Sequence, residues 1–154
     1  MGLFLSTVEK QIDKKGRVSV PPAFRAVLHA ANNSSVIVYP SFVHACIEAC
    51  GMDRMEALHA RIEALDPFSE ERDAFATAIL GSAVQLSFDS EGRVVLPEAL
   101  LREMEITETA IFVGKGATFE IWSPAKFAAH AEASRALAKS RRLVLKSEKS
   151  GGAA

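Results

Sequence analysis

The chain has 154 residues, 49 % of them hydrophobic and 24 % charged, with a formal net charge of −1. That length holds one ordinary domain or two very small ones, the composition is globular rather than disordered, and the balance of charge excludes a general polycation. Apolar runs fall short of the ~20 residues of a membrane-spanning helix, and Met1-Gly2-Leu3-Phe4-Leu5 lacks the basic start of a secretory signal, so a cytoplasmic protein is expected.

From residue 5 to residue 50 the chain reads as strand, turn, strand, short helix, strand, turn, strand. The first turn is Asp13-Lys14-Lys15-Gly16. Aspartate at the first position and glycine three residues on is the pattern of a type I turn whose last residue goes left-handed, and such a turn reverses an antiparallel hairpin. The Asp13 side chain has two uses open to it: accepting from the turn amides or pairing with Arg17. Beyond the turn Val18 and Val20 alternate with Arg17 and Ser19, so valines facing the core put the arginine and serine outside. Pro22-Ala23-Phe24-Arg25-Ala26-Val27-Leu28 is a short amphipathic helix with proline at its start, and Val36 to Tyr39 and Ala45 to Glu48 supply two more strands. Cys46 and Cys50 lie too far apart along a strand for a disulfide, and His44 nearby raises a metal site as one reading. Two buried thiols are the preferred one, since cysteine is among the residues most often buried and His29, His59 and His130 show no ligand spacing. No metal or cofactor is expected.

Residues 51–81 form a helical connector. Met55, Leu58, Ile62 and Leu65 recur at helical spacing up to Asp66-Pro67; Ser69 then offers an N-cap to a second helix with Phe75 and Ile79 on its apolar face. Residues 82–125 repeat the opening plan. Phe88-Asp89-Ser90-Glu91-Gly92-Arg93-Val94-Val95-Leu96-Pro97 matches Ile12 to Pro21 at five of ten positions, namely Asp, Gly, Arg, Val and Pro. A helix from Glu98 to Met104 follows, then Ile111-Phe112-Val113 loosely against Val36-Ile37-Val38-Tyr39, the Gly114-Lys115-Gly116 turn, and a strand ending at Trp122. Ser123-Pro124 starts a last helix through Phe127 and Leu137, covering 126–140, and the basic stretch 141–154 is expected as a mobile tail. One half alone is near the lower limit for a stable core. Two halves that interlock their hairpins bury a common core and remove strand edges, and Met52, Met55 and Phe75 serve either that packing or contacts between copies.

The Asp-x-x-Gly-Arg turn followed by Val-x-Val/Leu-Pro, present twice, resembles the MraZ family of bacterial transcriptional regulators. Phe4 to Arg17 is close to that family's opening, Phe119-Glu120-Ile121-Trp122-Ser123 is similar to its second repeat, and the likeness covers about residues 1 to 140. The resemblance implies a β-rich α+β fold: a double-split β-barrel of AbrB-like (SpoVT-AbrB-type) swapped hairpins made by two internal repeats, with flanking helices. It implies a ring-like homo-oligomer on the nucleoid, binding double-stranded DNA at tandem promoter repeats. The regulated operon would be that of cell-division and cell-wall proteins, headed by the family's own gene, with repression as the usual outcome. The family's Lys-Gly-Arg supplies DNA contacts, which falls on Lys15 and Arg17. The chain departs from the pattern at Cys46 to Gly51, where the family commonly has tyrosine-proline and tryptophan, and past Lys139, where the basic stretch has no counterpart.

The two turns differ electrically. Lys10, Lys14, Lys15, Arg17 and Arg25 face Asp13 alone, whereas Arg93 and Arg102 face Asp89, Glu91 and Glu98. The DNA surface is therefore expected at Lys10, Lys14, Lys15 and Arg17, with Asp13, Gly16, Asp89, Gly92 and Arg93 shaping the turns. With no nucleophile elbow, metal spacing or phosphate-binding glycine loop, an enzyme is not expected, nor is a small-molecule ligand. The rival reading is an antitoxin-like or purely protein-binding oligomer with the same hairpins.

Overall fold

The computed structural model describes residues 2–146. Its elements are β1 (Thr7–Gln11), β2 (Arg17–Ser19), α1 (Pro22–Ala30), β3 (Ser35–Pro40), β4 (Ile47–Cys50), α2 (Met52–Glu63), α3 (Glu70–Phe75) with a π-helical turn (Ala76–Leu80), β5 (Val84–Ser87), β6 (Arg93–Val95), α4 (Glu98–Glu103), β7 (Thr109–Gly114), β8 (Phe119–Trp122) and α5 (Pro124–Ser140). The chain divides after Pro124, so that α5 and the residues beyond it are a separate unit. No helix among the described residues is long and apolar enough to cross a membrane.

The first turn closes as expected, with Asp13 N–H donating to Arg17 O at 3.1 Å, but the strands on either side then part. β1 pairs with β7, β2 with β6, β3 with β5 and β4 with β8, all antiparallel, so strands of one half are completed by strands of the other. The result is a six-stranded sheet in the order β1-β7-β8-β4-β3-β5 and a separate β2-β6 ribbon. Exchanging each strand for its counterpart in the other repeat reverses that order and leaves it unchanged. The halves are thus related by a pseudo-two-fold axis passing through the register pairs Val18–Val94 and Glu48–Glu120.

One expectation is corrected. The sheet is open, with β1 and β5 as its edges, and is not a closed barrel. β2 and β6 have three residues each, run into Pro21 and Pro97, and pair with each other, so they cannot bridge one edge to the other. The loose match of Val36-Ile37-Val38-Tyr39 with Ile111-Phe112-Val113 gains a register: Val8 faces Phe112 and its counterpart Val84 faces Val38, so Val38 answers Phe112. A one-residue slip turns every side chain to the opposite face, and Val38 and Phe112 are both core residues. The spacing between matched positions changes across the helices, since α1 has nine residues where α4 has six. Both helices nevertheless end alike, with a left-handed residue (Asn32, φ 61°; Glu105, φ 55°) followed by an N–H reaching back to close the last turn.

The core fills the space between the sheet and the ribbon with matched positions of both halves: Val18 and Val94, Val20 and Leu96, Phe24 and Leu100, Leu28 and Met104. Phe24 stands at its centre, its ring 4.9 Å from Phe119 and 5.5 Å from Phe4. Side chains of this size each contribute about 1.5–3 kcal/mol on burial. The other face of the sheet carries a smaller cluster in which Met55 and Ile62 of α2 and Ile79 cover Ile37, Tyr39 and Cys50. Met55 therefore packs within its own fold, while Met52 and Phe75 stay exposed. Ser69 caps α3 as its position suggests, accepting from Arg72 N–H at 3.2 Å. Beyond α5, residues 141–146 continue in hydrogen-bonded turns, beginning with Arg141 N–H to Leu137 O at 3.0 Å. The remainder of the expected tail, 147–154, lies outside the described residues.

Candidate nucleic-acid interface

Asp13 fills both roles open to it. Its Oδ1 accepts the N–H groups of Lys15 and Arg17, each at 2.9 Å, and its Oδ2 accepts Arg17 Nε at 2.6 Å. The backbone N–H of Arg17 above all, with the Arg17 side chain and the Lys15 N–H, holds the Asp13 carboxyl below its ordinary value. Gly16 completes the turn at φ +83°, a conformation that suits a residue without Cβ. Arg17 is thereby fixed by one nitrogen, and its two terminal nitrogens have no partner among the described residues.

The second turn has the same backbone. Asp89 Oδ1 accepts from Glu91 and Arg93 N–H at 2.9 Å, Oδ2 accepts Arg93 Nε at 2.8 Å, and Gly92 sits at φ +75°. It differs at the tip, where Arg93 Nη2 also meets Glu91 Oε2 at 2.7 Å. The residue at that place in the first turn is Lys15.

The β2-β6 register brings the turns together. Arg17 stands opposite Val95 and Ser19 opposite Arg93, with Val18 and Val94 between them pointing into the core. Alternation therefore leaves Arg17, Ser19, Arg93 and Val95 on one outward face. Lys14 and Lys15 are exposed at the first tip. Lys10 is placed differently: it is half-buried on β1, on the side where Val8 packs against the core, three residues before the turn.

On the pseudo-two-fold axis at the other side of the fold, Glu48 and Glu120 oppose each other in the β4-β8 ladder. Glu120 is buried and accepts Trp122 Nε1 at 2.9 Å, with Lys115 Nζ 3.9 Å from its second oxygen. Burial, and then the Glu120 charge, pushes the Glu48 carboxyl up. Cys46 and Cys50 are buried free thiols, as the sequence suggested; burial raises both, Cys50 to about 12. Among the described residues no three His, Cys, Asp or Glu side chains gather as a metal-binding group.

A family model described as "MraZ protein, putative antitoxin-like" matches residues 79–146. Proteins named Transcriptional regulator MraZ from Rickettsia africae (strain ESF-5) and Rickettsia conorii (strain ATCC VR-613 / Malish 7) are each 52 % identical over 146 residues, covering 95 % of this chain and 98 % of theirs. That from Rickettsia bellii (strain OSU 85-389) is 52 % identical over 147 residues with the same coverage. The chain belongs to the MraZ family. The named MraZ relatives are transcriptional regulators, which is not an enzyme class.

Two residues of this MraZ chain take parts that sequence reasoning missed. Arg25 of α1 donates Nε to Val20 O at 3.1 Å, and its guanidinium lies over Gly92 of the other repeat's turn. Nothing local signals this, because only the pseudo-two-fold pairing brings α1 to the second turn. In the sequence Glu91 stands as one charge among several. The signal that singles it out is its alignment with Lys15, an acid standing in one repeat where the other has a base.

Proposed function

We propose that this chain is a sequence-specific transcriptional regulator that binds double-stranded DNA through its first turn. The observation that carries the proposal is Arg17: Asp13 holds its Nε, which aims the guanidinium without neutralising its terminal donors, and two exposed lysines flank it. A guanidinium presented in this way suits guanine O6 and N7 in the major groove, where a good pair contributes ~1–3 kcal/mol of discrimination. Lys14 and Lys15 contribute phosphate contacts, and Lys10 adds to the field from the edge of the sheet; such contacts make affinity fall steeply with salt. Asp13, Gly16, Asp89, Gly92 and Arg93 act as the scaffold of the paired turns.

The palindromic strand order supports reading residues 5–50 and 82–125 as two swapped-hairpin repeats joined by the 51–81 connector, with 126–140 as a C-terminal helix and the basic end, 141–154, as an appendage to it. The chain works as a ring-like homo-oligomer. α5 buries none of its own residues, and Phe68 and Leu145 are 95 % and 82 % exposed, which supports association through these parts. Several subunits engaging successive tandem promoter repeats gain affinity through effective concentration. The target is the cell-division and cell-wall operon that includes the protein's own gene, on the nucleoid in the cytoplasm, and the expected direction is repression.

Fluorescence anisotropy of a labelled duplex carrying the repeats upstream of the chain's own gene tests this, against scrambled DNA at two salt concentrations. Tight, repeat-dependent, salt-sensitive binding is expected for the wild type. Arg17→Ala is expected to lose the preference while its unfolding curve stays in place, since an exposed ion pair contributes only ~0.2–1 kcal/mol. Equal binding to repeats and scrambled DNA refutes the operator reading, and unfolding of Arg17→Ala makes the Asp13–Arg17 pair structural. The family model's antitoxin-like description favours a second reading, in which the chain binds a toxin protein; co-purification of such a partner would support it.

A further inference from the structure

We infer that Glu91 silences the second turn, holding Arg93 in an ion pair so that only Arg17, of two matched arginines on one exposed ribbon face, is available to a polyanion. The inference rests on the DNA-binding reading above and deepens it.

The two turns serve as each other's control. Each is an aspartate accepting two backbone N–H groups and one arginine Nε, closed by a glycine at positive φ. Their tips differ only where Lys14-Lys15 is replaced by Ser90-Glu91. That replacement changes what the arginine meets. Arg93 contacts two carboxylates, Asp89 through Nε at 2.8 Å and Glu91 through Nη2 at 2.7 Å, whereas Asp13 is the one carboxylate that Arg17 meets among the described residues. Glu91 is 66 % exposed, so the pair does not hold the core together; an exposed ion pair of this kind adds little to stability. Its consequence is electrostatic. A carboxylate at the tip repels phosphate oxygens and occupies the donor that would meet them.

The effect reaches the first arginine too. Arg17 and Arg93 are diagonal neighbours across the ribbon, which places their Cβ atoms roughly 7–8 Å apart. That is inside the screening length of about 10 Å at 0.1 M salt. The ribbon is thus one surface with a basic end at Lys14-Lys15-Arg17 and a neutralised end at Glu91-Arg93. Glu91 decides that a duplex is held from one end only.

Glu91→Gln keeps the side chain's shape and removes its charge. Anisotropy titrations of a labelled scrambled duplex, over a series of salt concentrations, are expected to show roughly three- to tenfold tighter binding than wild type. The slope of log K against log salt should steepen by about one, the signature of one more phosphate contact. The gain should vanish in Glu91→Gln/Arg93→Ala. Glu103→Gln, which removes the same charge from an exposed α4 residue outside the Arg93 ion pairs, should leave binding near wild type. Thermal melts followed by circular dichroism should coincide for all variants. The inference is overturned if Glu91→Gln binds as wild type does, if Glu103→Gln reproduces the gain, or if the gain survives loss of Arg93. A wild type and a Glu91→Gln variant that both ignore DNA at low salt would instead sink the DNA-binding reading itself.

Discussion

Alanine at Gly92 and at Gly16 should have unequal effects, although the two glycines occupy matched turns. Both sit at positive φ, +75° and +83°, where a side chain costs about 1–2 kcal/mol. At Gly16 the added methyl would lie 3.2 Å from Leu96 O, a contact that a few tenths of an ångström relieve, so the backbone cost stands nearly alone. At Gly92 it would sit 2.6 Å from Cζ of Arg25, and the guanidinium must leave. The tip of an arginine is flexible, so the added cost is bounded by what Arg25 forfeits, chiefly its bond to Val20 O, about 1.5–3 kcal/mol for a charged donor. Gly16→Ala should therefore destabilise by about 1–2 kcal/mol and Gly92→Ala by more, up to about 5 kcal/mol. In an Arg25→Ala background the two should converge. Urea unfolding of the single and double variants measures all of these, with the coupling between positions 25 and 92 read from the cycle. Equal costs in the wild-type background, or a Gly92→Ala cost unchanged by removing Arg25, would refute the view that one repeat's helix clamps the other repeat's turn.

Glu48→Gln should stabilise the fold at neutral pH by about 0.2–1 kcal/mol, the range for like charges facing across a ladder. The Glu48 carboxyl is raised in the folded state, so the wild type recovers stability as pH falls through that raised value toward the unfolded value of 4.5. The variant's advantage should be present at pH 8 and gone below about pH 4.5; urea midpoints that differ more in acid than at pH 8 would contradict this. Cys46 and Cys50 should react with a thiol reagent at pH 8 only as fast as the native fold opens, because both are 0 % exposed and burial disfavours their thiolates. Immediate modification of either in native buffer, at the rate seen in urea, would show that its site is open in the native fold, and for Cys50 that the face of the sheet beneath α2 is open.

What the sequence disclosed and what it withheld follow the range of the interactions. The Asp13 and Asp89 turns, the inward Val18, Val20, Val94 and Leu96, the Ser69 cap and the start of α5 at Ser123-Pro124 are set by neighbours a few residues away, and all were legible. Pairing was not. A hairpin turn between β1 and β2 reads as a local hairpin, yet β1 lies against β7 because Val8 and Phe112 share the common core. The Val38–Phe112 equivalence was left open because runs such as Val-Ile-Val-Tyr are buried on both faces and carry no alternation to fix a register. At the candidate interface the charge asymmetry was visible from composition, but its mechanism was not: the Glu91–Arg93 contact and the reach of Arg25 to Gly92 depend on rotamers and on a partner strand from the other repeat.

The pseudo-two-fold axis through Val18 and Val94 has a consequence for direction. In a dimer of identical chains a ribbon on such an axis must look the same from both ends, and a ligand bound across it can be turned around without penalty; palindromic half-sites mirror that symmetry. Joining the halves in one polypeptide lifts the constraint, since each side mutates alone. Val18–Val94 and Glu48–Glu120 remain images of one another, whereas Lys15 and Glu91 have become opposites. The ribbon has acquired a head and a tail. If subunits bind DNA in a row through this head, as proposed above, they would distinguish one orientation of an asymmetric site from the other, and would suit repeats that all point the same way along a duplex rather than repeats that face each other.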